Sequence, residues 1–231
     1  MITRSPTIDG RVGGVERPTV RSYQLRGARM TKAQKSAIDN HGDDFILTPS
    51  SPFAPDQIFP DKGDVVVEIG SGMGEATAQV AKAFPDKGFI AIEVHRPGIG
   101  SLILRALELE ITNLKVINED CHLVLDLIED ESVDTFHIFF PDPWPKTKHR
   151  KRRLLNAKFA EILARKLRLG GVLRIATDWE DYASRIAEVF SRADRLQGGI
   201  TDRPDWRPLT KFESQGIDKD HRVTDFLFTK I

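Results

Sequence analysis

From residue 64 onward the chain alternates apolar runs of strand length with stretches of helical spacing. The run "DVVVEIG" (64–70) is continuous, β-branched and closed by glycine, the pattern of a strand buried on both faces. In "EATAQVAKAF", which follows, the apolar residues recur at helical intervals. The alternation continues through "GFIAIEV", a helix across "GSLILRALELE", "NLKVINED", a helical stretch around "LVLDLIE", "VDTFHIFF", the helix "LLNAKFAEILARKL" and the strand "GGVLRIATD". A last helix over "DYASRIAEVFSRA" precedes a closing strand in "RVTDFLFTK". Such a sequence of elements predicts an α/β fold: a mainly parallel sheet with helices on both faces, its ligand held at the carboxyl ends of the strands.

Upstream the pattern is different. Residues 1–20 mix Gly, Pro, Thr and Arg without periodicity and are expected to form a mobile arm. "RSYQLRGARMTKAQKSAID" (21–39) reads as a basic approach into a short helix capped at Thr31, and "TPSSPFAPDQIFP" (48–60) as a proline-rich connection. Residues 21–231 are expected to form one domain.

Composition narrows the class. With 231 residues, 40% hydrophobic and 29% charged, the chain is long enough for one sizeable core. No apolar run has the length of a membrane span, and the first residues lack a signal-peptide core, so the expected setting is the cytoplasm. The lone Cys121 cannot form an internal disulfide and shows no zinc-site spacing. His95, His122 and His137 lack companions for a metal site, so no metal is expected. The net charge of zero hides segregation. Residues 1–35 hold eight Arg/Lys against Asp9 and Glu16, and residues 146–168 hold ten against Glu161. Positive charge gathered in this way suits a polyanion.

The candidate chemistry sits at strand ends. "EIGSGMGE" places Gly70, Gly72 and Gly74 in the turn after the first core strand, with Glu68 just ahead of them. A carboxylate there repels a pyrophosphate and favours a cofactor with a cationic amino-acid end. Glu93 closes the second strand, where it can accept both ribose hydroxyls, and Asp120 closes the third, within reach of an adenine amino group. Three acids with glycines and no phosphate-binding lysine fit S-adenosylmethionine better than NAD or ATP. Each acid taken alone is equally consistent with a solvated strand end.

The fourth strand runs into "FFPDPWPKTKHRKRR" (139–153). Pro141, Pro143 and Pro145 fix φ at alternate positions and make a stiff exit that holds Asp142. Trp144 is either a base-stacking platform or a core anchor. Lys146, Lys148, His149, Arg150, Lys151, Arg152 and Arg153 then form a phosphate clamp beside the cofactor. Lys158, Arg165, Lys166 and Arg168 lie on an amphipathic helix and read as its solvated face.

The combination "EIGSGMGE", "IEVHRPGIG", "FFPDPWPKTKHRKRR", "ATDWEDYA" and "TKFE", with "RGARMTKAQ" before it, resembles the bacterial tRNA (guanine-N7)-methyltransferase family over roughly residues 25–230. The resemblance implies a Rossmann-like class I methyltransferase that transfers a methyl group from S-adenosylmethionine to a guanine of the tRNA variable loop; monomer and homodimer both stay open. It implies that Glu68, Glu93, Asp120 and Asp142 contact the cofactor, Asp142 also being the active-site residue. Lys146, Asp178, Thr210, Lys211, Phe212 and Glu213 would contact the tRNA, and Lys148 to Arg153 would be the RNA-interacting loop. Two departures stand out. Pro145 occupies a position where the family usually has His, and "SQGIDKDHRVTD" after "TKFE" lacks the usual pair of arginines.

Guanine N7 carries a free lone pair, so attack on a sulfonium methyl needs no general base, and positioning with electrostatics can suffice. The expected division of labour is that Glu213 selects guanine through its N1–H and amino edge while Asp142 places the base. Asp142 or Asp178 would favour the charge moved onto the purine. Two rivals remain: a methyltransferase acting on an exocyclic amino group, and a non-catalytic RNA-binding subunit that keeps the fold.

Overall fold

The computed structural model describes residues 11–12, 15–16, 21–24, 29–209 and 222–231. In chain order the elements are β1 (Arg11–Val12), β2 (Val15–Glu16), α1 (Lys32–Phe45), β3 (Ile46–Leu47), β4 (Val65–Ile69), α2 (Glu75–Ala83), β5 (Gly88–Ile92), α3 (Arg96–Glu108), β6 (Leu114–Ile117), α4 (Cys121–Leu127), β7 (Val133–Phe139), α5 (Ala157–Lys166), β8 (Leu167–Thr177), α6 (Glu180–Phe190), β9 (Leu196–Thr201) and β10 (Thr224–Lys230). Where the sequence predicts an arm without elements, β1 and β2 pair as a two-residue antiparallel ladder. The rest of the first twenty residues lies outside the described residues.

The main sheet has the order β3-β6-β5-β4-β7-β8-β10-β9. Every pair from β3 to β8 is parallel, and β10 runs antiparallel to both β8 and β9. β10 is therefore the single reversed strand. The chain builds outward from β4 through β5 to β6 and then returns to β7 on the other side of β4. That reversal leaves a crevice at the carboxyl ends of β4 and β7.

Burial follows the sequence pattern. All five residues of β4 and all five of β5 are buried, as continuous apolar strands between two helical layers must be. α1, α2 and α3 cover one face around Val66, Phe89, Leu102 and Val116. α4, α5 and α6 cover the other around Val67, Phe136, Leu163 and Ile186. Each fully buried Val, Leu, Ile or Phe contributes roughly 1.5–3 kcal/mol relative to exposure. α1 starts where predicted: Thr31 Oγ1 accepts the Gln34 N–H, and the Gln34 side chain accepts the Thr31 N–H in return. It runs six residues beyond the expected Asp39, because Phe45 is buried at its end.

Candidate active site

A cavity of about 230 Å³ opens at the carboxyl ends of β4, β5, β6 and β7. Gly70 and Gly72 line it after β4, Glu93 after β5, Glu119 and Cys121 after β6, and Phe139 to Asp142 at the end of β7 and beyond. Gly70 (φ +83°) and Gly72 (φ +57°) adopt left-handed backbone and face open space, so the turn leaves room that a side chain would fill. Gly74 caps α2 at φ 74°.

The predicted acids divide into two pairs. Glu93 and Asp142 line the cavity; Glu68 and Asp120 are buried and do not. Glu93 Oε2 accepts the Gly72 N–H and Oε1 the His95 N–H, both at 2.7 Å. A carboxylate has about four acceptor sites, which leaves capacity for ribose hydroxyls. Burial raises the Glu93 carboxyl above its usual range, and the backbone N–H groups of His95, Gly72 and Val94 oppose this. Asp120 caps α4 through the His122 N–H at 2.9 Å.

Glu68, within β4, is pushed up to about 7 by burial and by the nearby Glu93 charge, with the Thr77 hydroxyl acting the other way. In the unfolded chain it titrates near the ordinary 4.5. Between these values the folded state holds a proton that the unfolded state has lost, so this group lowers stability progressively as pH rises from 4.5 to about 7. The full effect is about 3 kcal/mol. Glu68→Gln should therefore flatten that part of the stability curve. Denaturant midpoints at pH 5 and pH 8 test this, and the same pH dependence in both proteins would refute it.

Beyond β7 the chain is strained and tied down. Phe140 (φ 52°) and Trp144 (φ 43°) both adopt left-handed backbone on either side of Asp142. The Phe140 N–H donates to the Ala176 carbonyl at 2.8 Å. Trp144 is 5% exposed and its indole Nε1 donates to the Ser22 carbonyl at 2.9 Å, so it is an anchor rather than a base platform. Asp142 is half-buried, and its Oδ2 accepts the Gln24 N–H at 2.9 Å. Ser22, Tyr23 and Gln24 thus form a wall of the cavity that sequence reasoning missed. No local pattern in "SYQL" announces it, because the partners lie more than a hundred residues away.

The basic loop is also divided. Lys146, Lys148, Arg150 and Lys151 are exposed, and Arg152 stacks its guanidinium over the Trp144 ring at 4.7 Å. His149 packs edge-on against Trp144, and desolvation together with the cations Lys148 and Arg152 holds its imidazole below the usual range. Arg153 differs from the expectation of an RNA contact. It is 6% exposed, donates from Nε to the Pro143 carbonyl at 2.8 Å, and pairs with Asp181 at 2.5 Å. Its charge is used to clamp the proline loop onto α6.

Asp178 follows β8 and lines a wide cleft of about 1460 Å³ with Trp179, Thr201 and Asp202. The cap of α6 is Trp179, whose N–H is accepted by Thr177 Oγ1 at 3.3 Å. Leu209 and Arg222 line the same cleft. Thr210, Lys211, Phe212 and Glu213, between them in the chain, lie outside the described residues. Asp120, Cys121 and His122 bring one ligand atom each within 4.8 Å of one another. Burial and the Asp120 charge keep the Cys121 thiol protonated, and Asp120 is already engaged as a cap, so this trio is poorly suited to a metal.

Residues 62–226 match the family model Methyltransf_4 ("Putative methyltransferase"). The tRNA (guanine-N7)-methyltransferase of Nitrosomonas europaea is 45% identical over 218 residues, covering 92% of this chain and 97% of the relative. That of Shewanella baltica is 43% identical over 219 residues, covering 92% of each. The chain belongs to the tRNA (guanine-N7)-methyltransferase family. Among solved structures, the 16S rRNA methyltransferase KamB is similar to this methyltransferase with a TM-score of 0.58 at 15% identity, covering 81% of this chain and 98% of that one. A 30S ribosomal A1408 methyltransferase from an uncultured bacterium gives 0.54 at 16% identity, covering 76% and 91%. These two likenesses bear on fold alone, and they agree with the Rossmann-like sheet. The cofactor of the family is S-adenosylmethionine, and the glycine turn fits it: the cavity is open where Gly70 and Gly72 face it, and its lining carries the carboxylates Glu93, Glu119 and Asp142 and, among the described residues, no lysine or arginine.

Proposed function

We propose that the protein methylates N7 of the variable-loop guanine of tRNA, in the cytoplasm, with S-adenosylmethionine as donor. The observation that carries this reading is the convergence of the glycine turn, Glu93 and Asp142 on one cavity from which the cationic loop continues directly. S-adenosylmethionine supplies an electrophilic methyl group. Glu93 would accept from its ribose while holding Gly72 and His95 in place. Glu68, buried beside Glu93 behind the cavity wall, would favour the cationic end of the cofactor only once ionised, above about pH 7, and Asp120 would act by ordering the start of α4. Asp142 would position the guanine, whose N7 lone pair forms the new bond without any proton leaving the base. Electrostatic support for the charge acquired by the purine would come from Asp142 or Asp178, and guanine selection from Glu213.

The inward-facing Trp144 counts against an amino-group methyltransferase, which would need that aromatic against the base. The decisive experiment supplies S-adenosylmethionine and tRNA lacking the modification, then maps strand scission after reduction, to which N7-methylguanosine is sensitive. Scission at one variable-loop guanine is expected. Methylation without scission would point to an amino product, and absence of any methylation would favour a binding subunit.

Lys148, Arg150 and Lys151 are proposed as phosphate contacts, since they are exposed on the loop that leaves the cavity. Arg150 also pairs with Asp181 at 3.0 Å, a half-exposed contact that a phosphate can replace at little expense. Replacing all three by Ala should reduce the salt slope of tRNA binding by about 2–3 and leave cofactor affinity unchanged. An unaltered slope would remove the loop from the RNA interface.

A further inference from the structure

We infer that Gly98 is a positioning residue for the cofactor: by lacking a side chain it lets α3 seat the turn around Gly72 at the height where that turn opens onto the cavity. The inference rests on reading the cavity as the S-adenosylmethionine site. Gly98 belongs to "IEVHRPGIG", a stretch whose Glu93 has an assigned role while its glycines have none. It lies in the first turn of α3, where glycine has no helix-forming advantage, so local helix stability does not explain it.

The tertiary contact does. A Cβ on Gly98 would lie 2.0 Å from the Gly72 carbonyl oxygen and 3.0 Å from its carbon. Both are backbone atoms and cannot rotate aside. α3 cannot retreat either, because on its other side Gly100 is packed so closely on α1 that a Cβ there would lie 2.7 Å from the Gln34 carbonyl oxygen. One turn on, Leu102 lies where a Cβ on Gly74 would come within 2.6 Å of it. The helix is wedged between α1 and the glycine turn.

The turn is also held by Glu93, whose Cγ lies 3.7 Å from where a Gly98 Cβ would stand. One carboxylate oxygen takes the Gly72 N–H and the other takes the N–H of His95, the cap of α3. The Gly98 N–H in turn donates to the His95 carbonyl at 2.8 Å. Gly72 is therefore fixed through its N–H by Glu93 and through its C=O by the bare face of Gly98. A methyl group at residue 98 must lift the turn or break the Gly72–Glu93 bond, and either change misplaces the cavity wall that meets the cofactor.

Gly98→Ala should weaken S-adenosylhomocysteine binding, measured calorimetrically, by about 10-fold or more, and raise KM for S-adenosylmethionine similarly while KM for tRNA stays within about threefold. Gly88→Ala is the control. It adds the same methyl against the Phe59 ring at the start of β5, away from the cavity, and should lower the melting temperature without comparable loss of cofactor affinity. Equal losses in the two variants, or normal binding by folded Gly98→Ala, would overturn the inference and leave the proposed function standing. A wild-type protein that binds no S-adenosylhomocysteine would sink both. If Gly98→Ala does not fold, hydrogen exchange on the unaltered, cofactor-free protein decides. A protected Gly72 amide is expected, and exchange at the rate of a free peptide would refute the lock.

Discussion

Asp142→Asn is expected to reduce kcat/KM for tRNA methylation by about 10²–10³-fold with the fold intact, the scale seen when one preorganised electrostatic group is lost. The substitution is isosteric, and an amide oxygen can still accept the Gln24 N–H, so the change is one of charge more than of shape. The setting argues that the charge matters. Left-handed backbone at non-glycine residues costs of order 1–3 kcal/mol each, and it occurs at both Phe140 and Trp144 around this carboxylate. Three ties hold the strained segment: Phe140 to Ala176, Trp144 to Ser22 and Arg153 to Pro143. A chain that maintains strain on both sides of one carboxylate fixes its position closely. Single-turnover methyl transfer with calorimetric S-adenosylhomocysteine binding would separate chemistry from cofactor affinity. A rate within about threefold of wild type would remove Asp142 from the catalytic role.

The largest loss of stability is expected from Arg207→Met. Arg207 is 1% exposed and pairs with the buried Asp225 through two contacts of 3.0 Å, while its guanidinium lies 5.8 Å from the centre of the Phe139 ring and 5.6 Å from that of Phe140. Removing one member of such a pair leaves an uncompensated buried charge and should cost about 3–5 kcal/mol in denaturant unfolding. The double replacement Arg207→Met with Asp225→Leu should restore much of it, because the buried carboxylate stranded by the single replacement is then removed as well. If the double variant is as unstable as the single, packing rather than charge compensation explains the pair. The site also stands to gain from this anchor, which holds the chain against the carboxyl end of β7 just before the segment that begins at Thr210.

Much of the fold was legible because its signals are local. The continuous run at β4, the helical spacing of α2 and the Thr31 cap each depend on residues a few positions apart, and the structure reproduces them. β9 was missed for the same reason. "LQGGIT" has two glycines and one fully buried residue, Leu196, while Ile200 is 71% exposed, so no alternating apolar face marks it as a strand. Its pairing with β10 exists only because β10 lies alongside. Within the site, the glycine turn, Glu93 and Asp142 were found from their places at strand ends. The inward turn of Trp144 and Arg153 was not, since a tryptophan or arginine in a loop gives no sign of which way it faces.

The linear order of residues was enough to establish the α/β layering, the strand tips as the place where a cavity opens, and the family to which the chain belongs. Periodicity, turn residues and motif spacing are properties of neighbours along the chain. Folding alone decided that Gln24 meets Asp142 across 118 residues, that Ser22 holds Trp144, that Arg153 serves the loop instead of facing solvent, and that Gly98 lies against Gly72. Those contacts are set by how close two surfaces come once the sheet and its helices have packed, and no short-range pattern encodes that distance.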